Sequence, residues 1–326
     1  MNRHLPRWAD EVVAWSAALV LLVGVGVVGT GVITEETTGG GRRVHGDRVA
    51  QKVPAPKQPP ARTNAAVRVR HAPIVLPQTP RLGPPPGPVK QVAPSRVAAP
   101  QDRYAFLVGI TDYRAPTKDT IAGANDVAFI YQYLLANGWL PQNIKVLQSK
   151  QATGKEMRRG LAWLTAKSRP GTFTLFHYSG HVKQVGGREK LWPYDRQFIT
   201  DTELATTLRR GTGKLWVDIA GCEAGGFFEN LPSNRVLVTA SSKRTEKSYE
   251  HPSWGESVWV GLMWDAGMAQ GQADLDHNGV TTVAEAAVWA GYWAQAVTLN
   301  ERPYGRQSPQ MKGDPVRGWT LANPPA

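Results

Sequence analysis

Cys222 is the sole cysteine in a chain of 326 residues. That excludes an intramolecular disulfide and a cysteine-based zinc site. A lone cysteine is often a small buried hydrophobe, so its neighbours decide its role. Cys222 follows the apolar run KLWVDIAG (214–221) and precedes Gly225 and Gly226, and His181 follows a second apolar run, TFTLFHYSG (172–180). A thiol attacks a carbonyl as its thiolate. A nearby imidazole can take the thiol proton and later return it to a leaving amine. Glycines at 180, 221, 225 and 226 allow a substrate backbone to come close. The residue types therefore predict a Cys–His dyad, provided that the two runs are neighbouring strands.

A second segment carries different chemistry. DLDHNGVTTVAE (274–285) fits the spacing D-x-[DN]-x-[DN]-G-x5-E of a calcium-binding loop. Asp274, Asp276 and Asn278 would offer side-chain oxygens, and Gly279 the sharp turn. Val280 would offer its carbonyl and Glu285 a bidentate carboxylate. Ca2+ is thus the one expected ion, and no organic cofactor is implied. The competing reading is an acidic loop leading into a helix, with Glu285 in its first turns.

The elements that must position these residues alternate in type. Strand-like runs occur at 104–110, 144–148, 172–180, 214–221 and 235–241. Between them, Val127, Ile130, Tyr131, Leu134 and Leu135 fall at helical spacing, with Gly138 as a stop. Thr153/Glu156 and Thr200/Glu203 predict capping boxes for two further helices. Trp254 to Met268 and Val280 to Val297 also read as helices. The pattern predicts an α/β fold, a mostly parallel β-sheet with helices on both faces. Chemistry in such sheets collects at the carboxyl ends of strands, where His181 and Cys222 stand.

The first hundred residues differ in kind. Residues 1–11 form a short tail. Residues 12–34 hold the uncharged run VVAWSAALVLLVGVGVVGTGVI, long enough for one N-terminal transmembrane helix. It exits into Thr34, Glu35 and Glu36 rather than a small-residue cleavage site, so an uncleaved membrane anchor is expected. Arg3 and Arg7 ahead of it favour a domain outside the cytoplasm. Arg42, Arg43 and Arg48 on the far side weigh against that, and the positive-inside rule does not separate the two orientations. Residues 35–100 are a proline-rich basic linker, and residues 101–326 the expected folded domain.

The formal net charge of +12 sits mostly in that linker. Residues 39–100 carry eleven Lys/Arg against the single acid Asp47, whereas the chain from 101 onward has twenty-five basic and twenty-one acidic residues. A basic linker favours anionic surfaces such as lipid headgroups. No readout motif accompanies the charge, so nucleic acid is not an expected partner.

HYSGH (177–181) resembles the histidine motif of metacaspases, and CEAGGF (222–227) resembles their cysteine motif, D-x-C-x-[SA]-G. YAFLVGITDY (104–113), IAGANDVAFIYQYL (121–134), PYDRQFITDTEL (193–204) and VLVTASSKRTEKSYE (236–250) resemble further family segments in the same order. The resemblance to the caspase/metacaspase-like cysteine peptidases implies a caspase-like fold and a peptide or protein substrate. It also implies His181 as general base, Cys222 as nucleophile, and the amides of Gly180 and Cys222 as oxyanion donors. His177 is then structural. Asp126 matches an acid of the pocket for a basic P1 side chain, which implies cleavage after Arg or Lys. Two positions depart from the family: Val182 replaces its usual glycine, and Ala220 the acid two residues before the cysteine, leaving Asp218 as the nearest upstream acid. An inactive caspase-like module acting through interactions would carry such departures. A surface-anchored protein holding anionic polymer through its linker is a further alternative.

Overall fold

A computed structural model describes residues 94–321, except 232, 302 and 314–317, together with 74–78, 82 and 85–86. All of these belong to one compact unit, Arg62–Ala326. The expected anchor at 12–34 and most of the linker lie outside the described residues. Among the described residues, no helix is long and apolar enough to cross a membrane.

Five apolar runs pair in parallel to form the sheet: β1 (Arg103–Gly109), β2 (Ile144–Gln148), β3 (Phe173–Ser179), β7 (Lys214–Ala220) and β8 (Val236–Ala240). Between β3 and β7 lie the short strands β4 (Val182–Val185), β5 (Arg188–Leu191) and β6 (Ile199–Thr200), which form a separate antiparallel sheet. An antiparallel edge strand, β9 (Gln310–Lys312), completes the six-stranded order β9-β8-β7-β3-β1-β2. β3 and β7 are central and buried on both faces, which is why their sequences are apolar nearly throughout.

Helices cover both faces. α1 (Gly123–Ala136), α4 (Val258–Val260, continuing as the π-helical turns Gly261–Ala269) and α5 (Val283–Asn300) pack on one face, and α2 (Gly154–Lys167) and α3 (Asp201–Leu208) on the other. α1 lies unusually close to the end of β1. A Cβ added at Gly109 would stand 2.0 Å from Gly123 O, so glycine at both positions permits the contact.

Several predicted boundaries shift for local reasons. The helix expected from Trp254 begins instead at Val258. Gly255 has a left-handed φ of 70°, and Ser257 accepts the Val260 N–H as the cap. The capping boxes at Thr153 and Thr200 are half-made: each hydroxyl accepts its N3 amide, but Glu156 turns to Arg159 and Glu203 to Arg158. A complete box stands at Thr282 and Glu285, opening α5. The folded body also starts earlier than residue 101. Ser95–Arg96 pairs with Trp319–Thr320, and Ile74 is buried in the core beside α4. Proline bars that stretch from a helix, but an extended chain can still bury alternate apolar side chains.

The face under α1 and α4 carries an unusual polar load. Asp218 on β7 is fully buried and receives His177 Nδ1 (2.8 Å), Thr239 Oγ1 (2.6 Å), and the indole N–H groups of Trp259 and Trp264 (2.8 Å each). Burial alone would raise its pKa. The bonds from His177, Thr239 and Trp259 instead hold it below the usual carboxylate range. Glu256 is the opposite case. It is buried, and neither of its oxygens has a hydrogen-bond partner among the described residues. Burial, then Asp126 and Asp265, push its carboxyl up to about 9.

The two signs differ. Asp218, with a lowered folded pKa, stabilises the fold above the usual carboxylate range, and that contribution is lost as pH falls. Glu256, with a raised folded pKa, stabilises fully below about 4.5, and that contribution is lost as pH rises toward about 9. Within that window one such group removes about 1.4 kcal/mol of stability per pH unit. Urea midpoints at pH 5 and pH 8 should therefore fall for the natural chain and fall less for Glu256→Gln. Equal slopes in the two proteins would contradict this account.

Candidate active site

The ends of β3 and β7 lie in register. Ser179 pairs with Ala220, and the next amide, Gly180 N–H, donates to Ala220 O at 3.1 Å. His181 and Cys222 each stand two residues beyond that pair. The backbones touch where they leave the sheet: a Cβ at Gly221 would stand 2.7 Å from both Gly180 O and Val182 Cγ2. Both His181 and Cys222 are partly exposed.

His181 is held from several sides. Its N–H donates to Tyr113 Oη at 2.8 Å, and its carbonyl accepts Tyr178 Oη at 2.7 Å and Trp192 N–H at 3.1 Å. The ring lies against Tyr113, with centroids 4.7 Å apart, and near Trp192 at 5.9 Å. Burial pushes the phenols of Tyr113 and Tyr178 well above the ordinary tyrosine range, so both remain neutral. Nε2 is 2.8 Å from Lys118 O. A carbonyl only accepts, so Nε2 carries the proton in the neutral ring and Nδ1 is the bare, basic nitrogen. The Lys118 carbonyl thus orients the His181 ring.

The backbone around Cys222 is engaged, with one exception. Gly221 N–H donates to Ser241 Oγ, Glu223 to Glu246 O, Ala224 to Ser242 Oγ, Gly225 to Ser242 O and Gly226 to Glu223 O. The Cys222 N–H has no acceptor among the described residues, which leaves it able to hold an oxyanion. The thiol donates to Ser248 O at 3.7 Å. Gly180 is a correction: its amide is occupied by Ala220 O, so it is not a free oxyanion donor in this arrangement.

Asp126 lies fully buried in the first turn of α1, below Ser179. Its Oδ2 accepts Ser179 Oγ at 2.5 Å and its Oδ1 accepts Ser257 N–H at 3.0 Å. Burial pushes its carboxyl up to about 6 against those bonds. Ala220 faces Ser179 across the strand pair. Asp218 cannot stand in for an acid at position 220, because its carboxylate is spent on His177 and the tryptophans. Val182 opens β4 and is buried.

The loop before α5 gathers part of its predicted donor set. Asp274, Asp276 and Glu285 each place a carboxylate oxygen within 4.8 Å of the others. Asp274 accepts the N–H groups of Asn278 (3.1 Å) and Gly279 (2.8 Å). Asn278 Oδ1 accepts Val280 N–H at 2.8 Å, and Glu285 Oε2 accepts both Thr282 N–H and Oγ1. These oxygens already serve the loop, so a cation here would share them with the backbone.

The structure brings the two predicted residues to neighbouring strand ends, and it adds partners that the residue pattern did not predict: Tyr113, Lys118, Tyr178 and Trp192 around His181, and Glu223, Lys247 and Ser248 around Cys222. Tyr113 ends a motif already singled out. The Lys118 and Ser248 contributions are backbone carbonyls, which no side-chain pattern encodes.

The caspase-domain family profile matches residues 102–286, more than half of the chain. Metacaspase-1 of Candida albicans is 28% identical over 188 residues, covering 50% of this chain and 40% of its own length. Metacaspase-4 of Arabidopsis thaliana is 29% identical over 169 residues, covering 46% and 40%. Metacaspase-1A of Neosartorya fischeri is 26% identical over 265 residues, covering 72% and 57%. The chain thus spans between about two fifths and three fifths of the length of these relatives. With that match lying over the sheet that carries His181 and Cys222, the chain belongs to the caspase-domain family, among the caspase- and metacaspase-like cysteine peptidases.

Proposed function

We propose that this protein is a membrane-anchored cysteine endopeptidase that cleaves after Arg or Lys through His181 and Cys222. The observation that carries the dyad is its placement: both residues stand two positions past one register pair, beside an oriented imidazole and a free Cys222 amide. His181 Nδ1 takes the Sγ proton, and Sγ attacks the scissile carbonyl carbon. The Cys222 N–H receives the developing oxyanion. Collapse breaks the C–N bond, and the proton on Nδ1 passes to the leaving amine. A water, deprotonated by the same nitrogen, then cleaves the thioester and frees the thiol and an acid.

Cys222→Ala should lower turnover of a fluorogenic peptide by at least about a thousandfold, and His181→Ala by a similar factor. The double variant should be no worse than either single one, because the two groups act as a unit. Iodoacetamide labelling should vanish in Cys222→Ala, as no other thiol exists. Full activity of Cys222→Ala, or no turnover of any peptide by the natural chain, would favour the inactive-module reading.

The P1 preference rests on charge. Asp126 is a buried carboxyl held by Ser179 and Ser257, and no cation among the described residues pairs with it. An uncompensated acid disfavours an anionic guest and welcomes a cationic one. A panel differing only at P1 should therefore turn over Arg or Lys peptides well ahead of Asp. Equal turnover of P1-Asp peptides would refute the preference.

The loop 274–285 would hold Ca2+ through Asp274, Asp276, Asn278, the Val280 carbonyl and Glu285, as a support for the entry to α5. Binding to the native state alone adds about 2.7 kcal/mol at a hundredfold excess over Kd. Millimolar calcium should raise Tm relative to chelator, and an unchanged Tm would defeat this assignment.

The apolar run at 12–34 would tether the domain outside the cytoplasm. Protease added to intact cells should release the domain. Resistance until lysis would place it inside.

A further inference from the structure

The residue after the nucleophile is a hub. Glu223 has left-handed backbone, φ 59°, a conformation that costs a non-glycine residue energy and is kept here by its N–H bond to Glu246 O at 2.8 Å. Its two carboxylate oxygens face different elements. Oε1 meets Lys247 Nζ at 2.8 Å, and Oε2 accepts Gln184 N–H at 2.9 Å. Gln184 lies on β4, in the hairpin that follows His181. Lys247 lies in the loop after β8, next to Ser248, whose carbonyl accepts the Cys222 thiol. One side chain therefore joins the segment after Cys222, the segment after His181, and the loop against which the sulfur rests.

The charges around the sulfur can be assigned by element. The end of β3 contributes His181. The chain after β7 contributes Glu223. The loop after β8 contributes Lys247, while Glu246 is turned to the N–H and Oγ of Ser308 and to Lys243, and Glu250 to the N–H groups of Ile121 and Ala122. Lys247 is the cation of this set that lies within electrostatic reach of Cys222. Its ammonium is held above the ordinary lysine range by Glu223 first, with Cys222 adding in the same sense.

We propose that Glu223 and Lys247 are positioning residues for the nucleophile: Glu223 clasps the two strand-end segments together, and Lys247 steadies the negative charge of the Cys222 thiolate while Glu223 tempers it. This rests on reading Cys222 as the nucleophile, but its test needs no peptide turnover. The substitutions separate clasp from charge. Glu223→Gln keeps an amide oxygen for Gln184 N–H and removes the negative charge. Lys247→Met removes the positive charge from a side chain that is 62% exposed, where a fold defect is not expected.

The experiment is the pH dependence of iodoacetamide alkylation in the full chain, whose single thiol makes the signal unambiguous. Thiolate displaces iodide, so the midpoint of the rate profile follows thiol ionisation. Lys247→Met should move the midpoint up by about half a unit, and Glu223→Gln should move it down by about the same, solvent screening keeping both small. The double variant should return close to the natural midpoint. Midpoints unmoved in both single variants, or moved in the same direction, would overturn the proposal. A chain that shows these opposite shifts yet hydrolyses no peptide would support this inference and refute the peptidase reading.

Discussion

The pairing of β3 with β7 is the constraint on which the rest depends. Their last residues, Ser179 and Ala220, are partners, and Gly180 N–H closes the ladder onto Ala220 O. Past that point both chains leave the sheet through glycine, so backbone can pack on backbone. A side chain at Gly180 would strike Tyr113 Oη at 2.4 Å, and one at Gly221 would strike Gly180 O. Bulk at either position would push the strand ends apart, and His181 and Cys222 with them. The same bond that aligns the two strand ends spends the Gly180 amide, which leaves Cys222 as the free N–H in the run Gly221–Gly226.

The face of the sheet beneath the site is built with polar groups where apolar packing would be simpler. Asp218 ties β7 to β3 through His177, to β8 through Thr239, and to α4 through Trp259 and Trp264. A buried carboxylate with four donors is satisfied, and removing any partner would strand a charge. Asp126 ties α1 to β3 through Ser179 and to the start of α4 through Ser257. These two acids hold the elements around the strand ends in one arrangement. Glu256 beside them has no such partners, so it adds cost as its carboxyl ionises.

The orientation of His181 combines side-chain and backbone partners from distant segments. Its backbone is held by two tyrosine hydroxyls, and its ring by the Lys118 carbonyl and the face of Tyr113. Likewise Cys222 rests against the Ser248 carbonyl, and the loop behind it is fixed by Ser241, Ser242 and the Glu223 hub.

The alternation of apolar runs and helical periodicity determined the five parallel strands to within a residue or two, because buried central strands must be apolar along their whole length. Residue identity likewise determined that one thiol and one strand-end imidazole were the candidates for chemistry. The sequence did not reveal which capping box closes: Glu156 pairs with Arg159 one turn along its own helix, and Glu203 with Arg158, which only the fold brings within reach. It could not show that Gly180's amide is spent, that Lys118 O selects the His181 tautomer, or that Asp218 turns inward rather than serving a pocket. Those outcomes are set by register and by backbone atoms from distant segments. A backbone carbonyl looks the same in every residue, so its role becomes visible only once the chain has brought it within hydrogen-bonding distance.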